Sequence, residues 1–477
     1  MKIFEGLDYE TGDAIRVTLD GNLIVERSEI AARAGLPKLY PALADNHCHI
    51  LPTGLDMQKL WLGGLSTKDD VLDAIRQRAS ETKPGDWVLA VHYDQTKFAD
   101  GNHLTIGELD AISEELPILI RHVNGHASVG NSIALRAAKV DKSTANPPGG
   151  EYVRDASGAL TGLLLESAHE RVTAAIPNPS VDQMVKAICE AGKAMAAYGI
   201  AGAADMMTGR YDLAAELEAY RRASEEGCPI SLRLYLQWST VFGPRCLPTD
   251  KLRELSDAMN PSKCRVAGIK IFADGAIGSR TAAIYGQFEG SDGTTDEGTL
   301  IYAPDRLKAM VKTAHDAGYQ VAIHTIGDRS SDLVINAFAA TDEPSRHRIE
   351  HIMIMSDAQL DRLATLGCHA TFQPEFLSAF GHSYKRQLGE ARASKLIRIR
   401  SAHKAGIPFS LSSDRPIVSG DPNLAMKNAS QRPDGSDPNE SISREEAIRA
   451  HTAMGWIGMG DTPSFAPGSQ TGVFQAD

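Results

Sequence analysis

The sequence contains few of the features that mark disulfide-linked, nucleic-acid-binding or membrane-spanning proteins. Its six cysteines are scattered without C-x-x-C spacing, which indicates reduced thiols and not a disulfide framework or a zinc ribbon. The formal net charge is -12 and no run is rich in lysine and arginine, so nucleic acid is not expected as a partner. No apolar run approaches the ~18 residues of a membrane span, and the amino terminus lacks the basic and apolar regions of a secretory signal. We therefore expect a cytoplasmic protein with no membrane partner.

What the sequence does contain is enough apolar residues for a large core. The chain has 477 residues, of which 42% are hydrophobic and 23% are charged. This length exceeds the usual ceiling for one simple domain. We expect one large domain with an appendage.

One pattern recurs from about residue 180 onward: an amphipathic stretch, a glycine, and a short apolar run that ends in polar residues. The clearest case is residues 305–317, where apolar residues fall at i, i+3, i+4 and i+7 counted from Leu307. Gly318 then precedes the run YQVAIHTIGD. This order is typical of a helix, its C-cap and a buried strand.

Eight runs of this kind are candidate strands. They are predicted to end near His49, Asp205, Gln237, Lys270, His324, His351, Gln373 and Asp414. Continuously apolar strands that alternate with helices indicate a parallel sheet covered on both faces. The sequence therefore predicts an α/β fold, a (β/α)₈ TIM-like barrel over residues 43–455.

The interval between the first two strands is too long for one crossover helix. Residues 50 to about 180 are therefore predicted to form an inserted α+β lid subdomain, with strands at DWVLAVHYD, LPILIRHV and ALTGLLLE. Residues 1–42 alternate polar and apolar side chains and predict a small sheet, to which residues 456–477 are expected to contribute a strand.

Six ionisable residues lie at or near the ends of the predicted strands: His47, His49, Lys270, His324, His351 and Asp414. In a barrel of this kind, strand carboxyl ends face one mouth. The two histidines of the H-x-H segment point to the same face of a strand and can grip one ion. Taken by itself, this segment has an alternative interpretation as a pair of hydrogen-bonded histidines at a strand edge. The other four groups favour a metal site, because burying them without a metal would leave several polar groups unpaired.

Each of these residue types suits a particular role in a metal site. His324 and His351 supply neutral imidazole, and Asp414 supplies an anionic ligand that can also shuttle a proton. Lys270 is unusual, because an ammonium group is repelled by divalent metals. A lysine at an apolar strand end loses its proton readily, and the neutral amine can add carbon dioxide to form a carbamate anion. The alternative is an ion pair with Asp274 or Asp328.

Four further residues are candidates for binding the substrate. His126 and Glu166 are polar residues of the predicted lid, where packing or capping roles are the alternative, as they are for Asn131. Arg280 and Arg415 follow the lysine strand and the aspartate, and each could bind a substrate carboxylate. An ion pair with a neighbouring acid is the alternative for both arginines.

As an ordered set, these motifs resemble the binuclear amidohydrolase superfamily. The segments KIFADGAIGSRTA, IHTIGD, IEHI, SDRP, VNGHASVGNSIAL and TGLLLE resemble its amidohydrolase-3, or YtcJ-like, branch, which includes N-substituted formamide deformylases and molinate hydrolase. The resemblance covers about residues 40 to 460. It implies a distorted barrel beside a small β-sandwich made from both chain ends, and it places the His126 segment near the substrate.

The resemblance also implies two divalent metal ions, zinc first, with iron, cobalt or manganese as alternatives. Carried onto this sequence, the family pattern gives three ligands to the more buried ion, two to the other ion, and a carboxylated lysine between them: His47, His49 and Asp414; His324 and His351; Lys270. The expected partner is a small-molecule substrate, and a homo-oligomer is expected, with a dimer as the first choice.

The expected function is hydrolysis of a C–N bond in an amide, formamide, carbamate or cyclic amide, with Asp414 and Lys270 in catalytic roles. A mononuclear deaminase of the same superfamily is the first alternative. It would be expected to carry a glutamate three residues after the fifth-strand histidine, where this chain has Gly327. A catalytically silent regulatory protein on the same scaffold is the second. It would be expected to have lost ligands, whereas all six remain here.

Overall fold

The computed structural model describes residues 1–123, 127–290 and 296–476. The chain folds into two compact units, one of Met1–Gly54 with Ser180–Asp477 and the other of Leu55–Pro179. Within the described ranges, no helix has both the length and the apolar character needed to cross a membrane.

The strands, numbered in chain order, are β1 Lys2–Asp8, β2 Ala14–Asp20, β3 Leu23–Glu29, β4 Lys38–Tyr40, β5 Leu43–Cys48, β6 Leu60–Trp61, β7 Val88–Tyr93, β8 Ile118–His122, β9 Ala127–Gly130, β10 Gly150–Arg154, β11 Leu160–Glu166, β12 Ile200–Thr208, β13 Ser231–Gln237, β14 Cys264–Phe272, β15 Gln320–Thr325, β16 Arg348–His351, β17 His369–Phe372, β18 Phe409–Leu411 and β19 Phe474–Ala476.

The α-helices are Ile50–Met57, Lys68–Glu81, Ile106–Asp110, Ser132–Ala137, Ser167–Thr173, Val181–Ala197, Leu213–Glu225, Trp238–Val241, Thr249–Asp257, Pro304–Asp316, Asp328–Phe338, Asp357–Leu366, Glu375–Leu388, Glu390–Ala393, Ile399–Lys404, Pro422–Ser430, Arg444–His451 and Ala453–Gly458.

The larger unit is built around an eight-stranded parallel sheet in the order β5-β12-β13-β14-β15-β16-β17-β18. Two backbone hydrogen bonds join the end of the first strand to the segment after the last: Asp414 N donates to His47 O at 2.7 Å, and His49 N donates to Arg415 O at 2.8 Å. The sheet is therefore a nearly closed barrel. All eight predicted strands are present, which confirms the predicted fold class.

Local sequence explains the helix-to-strand transitions. In the helix Pro304–Asp316, the apolar residues predicted to share one face are all buried, including Leu307 and Met310. Gly318 has a φ of +87°, a conformation that costs a residue with a Cβ considerable strain, and it turns the chain into β15.

The smaller unit contains a six-stranded sheet in the order β10-β11-β9-β8-β7-β6. The three predicted strands of the insertion correspond to β7, β8 and β11, and short helices make the unit α+β as expected. One core is formed by the helix Lys68–Glu81 against this sheet, with Val71, Ile75, Val88 and Ile118 buried.

Both chain ends contribute to a third sheet, in the order β19-β4-β1-β2-β3. The carboxyl-terminal β19 pairs antiparallel with β4, with Phe474 opposite Tyr40. Ile15, Val17 and Ile24 form its buried face. The tail therefore supplies a strand to the amino-terminal sheet, as the sequence predicts.

A row of hydrogen-bonded side chains lies near the amino ends of β15 and β16. His347 Nδ1 accepts from Val321 N at 3.1 Å, so its Nε2 carries the proton and donates to His315 Nδ1 at 3.0 Å. His315 Nε2 in turn lies 2.5 Å from the exposed Asp342 carboxylate. Burial, with repulsion from His315 and Arg346, lowers the pKa of His347 to about 3.

We predict that His347 makes the fold less stable in acid. The unfolded chain binds a proton at His347 near pH 6.5 and the folded chain does not, so the free energy of unfolding falls as pH drops from about 6.5 toward 3, by up to ~1.4 kcal/mol per pH unit from this group. His347→Gln keeps an acceptor and a donor but does not titrate, and its denaturant unfolding should show a shallower pH dependence. Equal slopes for both proteins between pH 7 and 5 would contradict the prediction.

Candidate metal centre

The barrel brings all six predicted ligand residues to the carboxyl ends of its strands. They lie in or just after β5, β14, β15, β16 and β18: His47, His49, Lys270, His324, His351 and Asp414. The ring centroids of His47 and His351 are 4.6 Å apart, and those of His324 and His351 are 4.5 Å apart. Residues from five strands thus meet in one cluster.

Three of these residues form a compact set of ligand atoms. Asp414 Oδ1 lies 2.9 Å from His49 Nε2 and 3.4 Å from His47 Nε2, and candidate ligand atoms of the three residues lie within 4.8 Å of one another. Among the described residues, Asp414 Oδ1 and His49 Nδ1 are buried atoms without hydrogen-bond partners. Buried polar atoms left unpaired are costly, and a divalent cation would satisfy the converging lone pairs. The residues therefore fit a metal.

Hydrogen bonds on the far side of three rings orient their lone pairs. His47 Nδ1 lies 2.5 Å from Glu350 Oε2, and His351 Nδ1 lies 2.7 Å from Gln373 Oε1. Both rings therefore carry the proton at Nδ1 and have an unprotonated Nε2. His324 is reversed, because its Nε2 donates to Gly275 O at 3.0 Å and leaves Nδ1 free.

Burial favours the neutral imidazole at His47, His324 and His351. It lowers the pKa of His47 and His351 well below the ordinary value, and nearby cationic groups, including Lys270, lower both further. Burial also lowers the pKa of His324, although Asp274 opposes the shift. Neutral imidazole is the form that binds metal, so the environment prepares these rings as ligands.

Lys270 is buried among these groups, with 2% of its surface exposed. Its Nζ lies 3.4 Å from His47 Nε2 and 5.0 Å from the centre of the Phe272 ring. Burial lowers the pKa of Lys270 to about 8 despite the carboxylates of Glu350 and Asp414. The amine is thus easier to deprotonate than an exposed lysine, which is the condition for carbamate formation.

The alternative ion pairs of Lys270 are absent from the residues that the structure describes. Asp274 instead accepts from Ile326 N at 3.0 Å and from Gly327 N at 2.8 Å, and Asp328 accepts from Tyr285 N at 2.8 Å. Both aspartates therefore hold loops at the barrel mouth.

Glu350 was missed by the sequence reasoning, although it lies beside His351. It is fully buried and pairs with the equally buried Arg348, whose Nε lies 2.5 Å from Glu350 Oε1. Burial by itself would raise the pKa of Glu350. The charge of the Arg348 guanidinium and its hydrogen bonds to the carboxylate outweigh this effect and lower the pKa. Glu350 is therefore an anion that holds the His47 ring. Two charged residues inside an apolar strand, in RHRIEHI, are the signal that could have identified it.

Two cluster residues adopt backbone conformations that are rare outside glycine. His351 has a φ of +71° and Asp414 a φ of +58°. Such conformations cost about 1–3 kcal/mol and persist where surrounding contacts enforce them. Here Asp45 supplies one such contact, since its carboxylate accepts from Ser413 N at 3.0 Å and from Ser413 Oγ at 2.5 Å.

The two candidate arginines differ in their contacts. Arg280 donates to Gln387 Oε1 at 2.7 Å and to Glu289 O at 2.8 Å, and it lies 3.5 Å from Asp296, so it ties loop segments together. Arg415 has a buried Nη1 without a hydrogen-bond partner among the described residues.

The candidates in the insertion are less informative. Asn131 caps the helix Ser132–Ala137, with its side chain accepting from Ile118 N and Ala134 N at 2.9 Å. Glu166 is exposed at the end of β11. His126 lies outside the described residues.

The sequence of the whole barrel matches a known family. Residues 38–462 match the Amidohydrolase family, Amidohydro_3. The chain belongs to this amidohydrolase family. The resemblance inferred from the motifs is thus confirmed.

Three curated relatives of this amidohydrolase align with it over most of this chain and most of their own length. Putative amidohydrolase YtcJ of Bacillus subtilis is 28% identical and covers 90% of this chain and 80% of its own. Protein LONG AFTER FAR-RED 3 of Arabidopsis thaliana is 30% identical, with 87% and 73% covered. N-substituted formamide deformylase of Arthrobacter pascens is 28% identical, with 86% and 77% covered.

A solved structure supports the fold. An uncharacterized metal-dependent hydrolase from Pyrococcus furiosus has a TM-score of 0.78 at 23% identity and covers 98% of this chain and 97% of its own. At this identity the likeness concerns the fold.

We predict that Glu350→Gln weakens metal binding about 10–100-fold, because the neutral amide no longer fixes the His47 ring or raises its basicity. The measurement is metal affinity by competition with a chelator, on protein shown to be folded by thermal unfolding. Glu440→Gln is the control: Glu440 is also buried and bonded, to Ser401 and Arg398, outside the cluster. Equal metal affinities for the two variants would refute the role of Glu350.

Proposed function

We propose that this amidohydrolase hydrolyses a C–N bond of a small amide, formamide, carbamate or cyclic amide in a metal-dependent reaction. The observation that carries the proposal is the convergence of His47, His49 and Asp414, whose candidate ligand atoms lie within 4.8 Å of one another. His324, His351 and Lys270 extend the same cluster and supply a second set of donors.

The residues divide into those that would hold metal and those that handle the proton. His47, His49 and Asp414 would hold one ion, and His324 and His351 a second, with Lys270 between the two sets. When bound, such ions polarise a carbonyl group and lower the pKa of water toward neutrality. Zinc is proposed first, with iron, cobalt and manganese as alternatives, because histidine and carboxylate ligands accept all four.

Asp414 is the proposed proton carrier. Its Oδ1 lies 2.9 Å from His49 Nε2 and accepts no hydrogen bond from the residues that the structure describes. An aspartate so placed accepts the proton of the attacking water and returns it to the leaving nitrogen, so no net proton is consumed at this residue.

The curated relatives suggest a substrate class. One is named an N-substituted formamide deformylase, which supports a formamide with a substituent on nitrogen as the first substrate to test. The deaminase alternative gains no support from the fold, since Gly327 N donates to Asp274 in the place where a protonating glutamate would be expected. The silent-protein alternative would require lost ligands, and the cluster keeps all six residues.

We predict that His47→Ala and His324→Ala each abolish hydrolysis while the fold persists. Losing a group that only orients a ligand costs ~10–100-fold, so losing a ligand itself should cost more. Activity is measured with a panel of formamides, carbamates and cyclic ureas, and metal content per chain is measured on protein purified without added metal. His369→Ala is the control, because His369 is a buried histidine bonded to Ser410 Oγ at 2.9 Å. Full activity of either ligand variant at normal metal content would disprove the assignment.

The role of Lys270 is tested by substitution with alanine and with arginine. If Lys270 is a carbamate that bridges two ions, Lys270→Ala should lose activity and metal together, and a short carboxylic acid should partly restore both. Lys270→Arg should stay inactive, since a guanidinium cannot be carboxylated. A crystal structure that shows an unmodified Lys270 amine, with no atoms beyond Nζ, and one ion per chain would exclude the two-metal proposal.

A further inference from the structure

We propose that the helix Glu375–Leu388 carries an apolar substrate subsite beside the cluster of candidate metal ligands. This subsite takes an alkyl or aryl substituent of the amide. This inference rests on the proposed function, and it adds what the substrate must offer besides a hydrolysable bond.

Three aromatic rings form a row on one face of this helix. Phe376, Phe380 and Tyr384 are four residues apart, a spacing that puts side chains on the same helix face. Consecutive ring centroids are 5.6 Å and 6.0 Å apart. The row begins at the cluster, because the Phe376 ring stacks on His351 with centroids 6.2 Å apart. The row of rings therefore starts at a candidate metal ligand.

The far end of the row is the buried Tyr384. Burial raises the pKa of Tyr384, and the Asp414 carboxylate raises it further. Among the described residues, the Tyr384 hydroxyl has no hydrogen-bond partner, although the side chain is largely buried. The contact that joins the row to the cluster is the stack of Phe376 on His351.

Contacts at both ends fix the helix at the barrel mouth. At its start, the buried Glu375 accepts from Ser419 Oγ at 2.5 Å and from Ser419 N at 3.1 Å, in the segment after β18. Near its end, Gln387 accepts from Arg280 Nε at 2.7 Å, and Gln387 O accepts from Glu289 N at 2.8 Å. Arg280 and Glu289 belong to the long segment after β14, so the helix is anchored to two mouth segments.

A further apolar ring, outside the row, lies beside the cluster. Phe272, at the end of β14, has its ring centroid 5.2 Å from that of His324. Phe272 and Phe380 are both only partly buried, in contrast to the fully packed core residues of the barrel. Partly exposed rings beside an ionisable cluster favour an apolar ligand, because the same rings gain little from water or from a polar substrate.

The inference is tested by binding of metal-chelating amide analogues with alkyl chains of two to eight carbons. One series carries the chain on the acyl side, as alkyl hydroxamates, and the other on nitrogen, as N-alkyl-N-hydroxyformamides. In the wild-type metalloprotein, affinity in at least one series should rise about fourfold per methylene, which corresponds to ~0.8 kcal/mol. Calorimetric titration measures this rise.

Substitutions at the half-buried Phe380 separate the subsite from the rest of the fold. Phe380→Ala should flatten the chain-length dependence by at least half while binding of the shortest analogue stays unchanged, and Phe380→Leu should keep most of it. Phe4→Ala, at a partly buried ring in the terminal sheet, should leave the dependence intact. No rise with chain length in either wild-type series, or an equal rise in Phe380→Ala, overturns the subsite.

Hydrolysis of matched N-alkyl formamides and acyl amides distinguishes this failure from failure of the proposed function. Chain-dependent binding without hydrolysis of any amide would reject the function and keep the subsite. Hydrolysis that ignores chain length would keep the function and reject the subsite.

Discussion

The cluster of candidate metal ligands depends on a buried pair of opposite charges, Arg348 and Glu350, on strand β16. Burying two charges is costly unless further hydrogen bonds satisfy them. Arg348 meets this condition by donating to Asn46 O, Gly458 O and Thr371 Oγ1 at 2.8–2.9 Å, while Glu350 accepts from its guanidinium and from His47. The pair therefore joins the first, sixth and seventh barrel strands to the helix Ala453–Gly458.

This network explains why the cluster's histidines are held so firmly. Glu350 fixes the His47 ring from behind, and Gln373 does the same for His351 while donating to Ser412 Oγ at 2.8 Å. Because these supports lie on neighbouring strands, the barrel sets ring orientations before any metal binds. The low pKa of the buried histidines follows from the same enclosure and leaves them neutral.

Many charged residues near the mouth serve the loops. Asp274 holds the turn after β15, Glu375 holds the segment after β18, and Arg280 joins the long segment after β14 to Gln387. A charged residue beside an active cluster is thus often a scaffold residue. The aromatic face of Glu375–Leu388 differs, since its first ring, Phe376, stacks on the cluster residue His351.

The sequence by itself determined the order of elements and the set of candidate ligands. Apolar runs after glycine-capped helices identify strands because periodicity is a local property, and His47, His324 and Asp414 were found because strand ends of a parallel barrel share one mouth. Polar-apolar alternation identified the amino-terminal part of the terminal sheet, and apolar runs identified β7, β8 and β11 of the insertion, whereas β6, β9 and β10 were not predicted.

Only the tertiary structure decided which residues support the ligands. Glu350 meets His47 across 303 positions of the chain, and Arg280 meets Gln387 across 107, so no spacing rule could pair them. The sequence suggested Asp274 as a partner of Lys270. In the fold, the Asp274 carboxylate instead accepts from the backbone amides of Ile326 and Gly327. Such pairings follow from barrel register and closure, which fix distances between strands that the linear sequence does not encode locally.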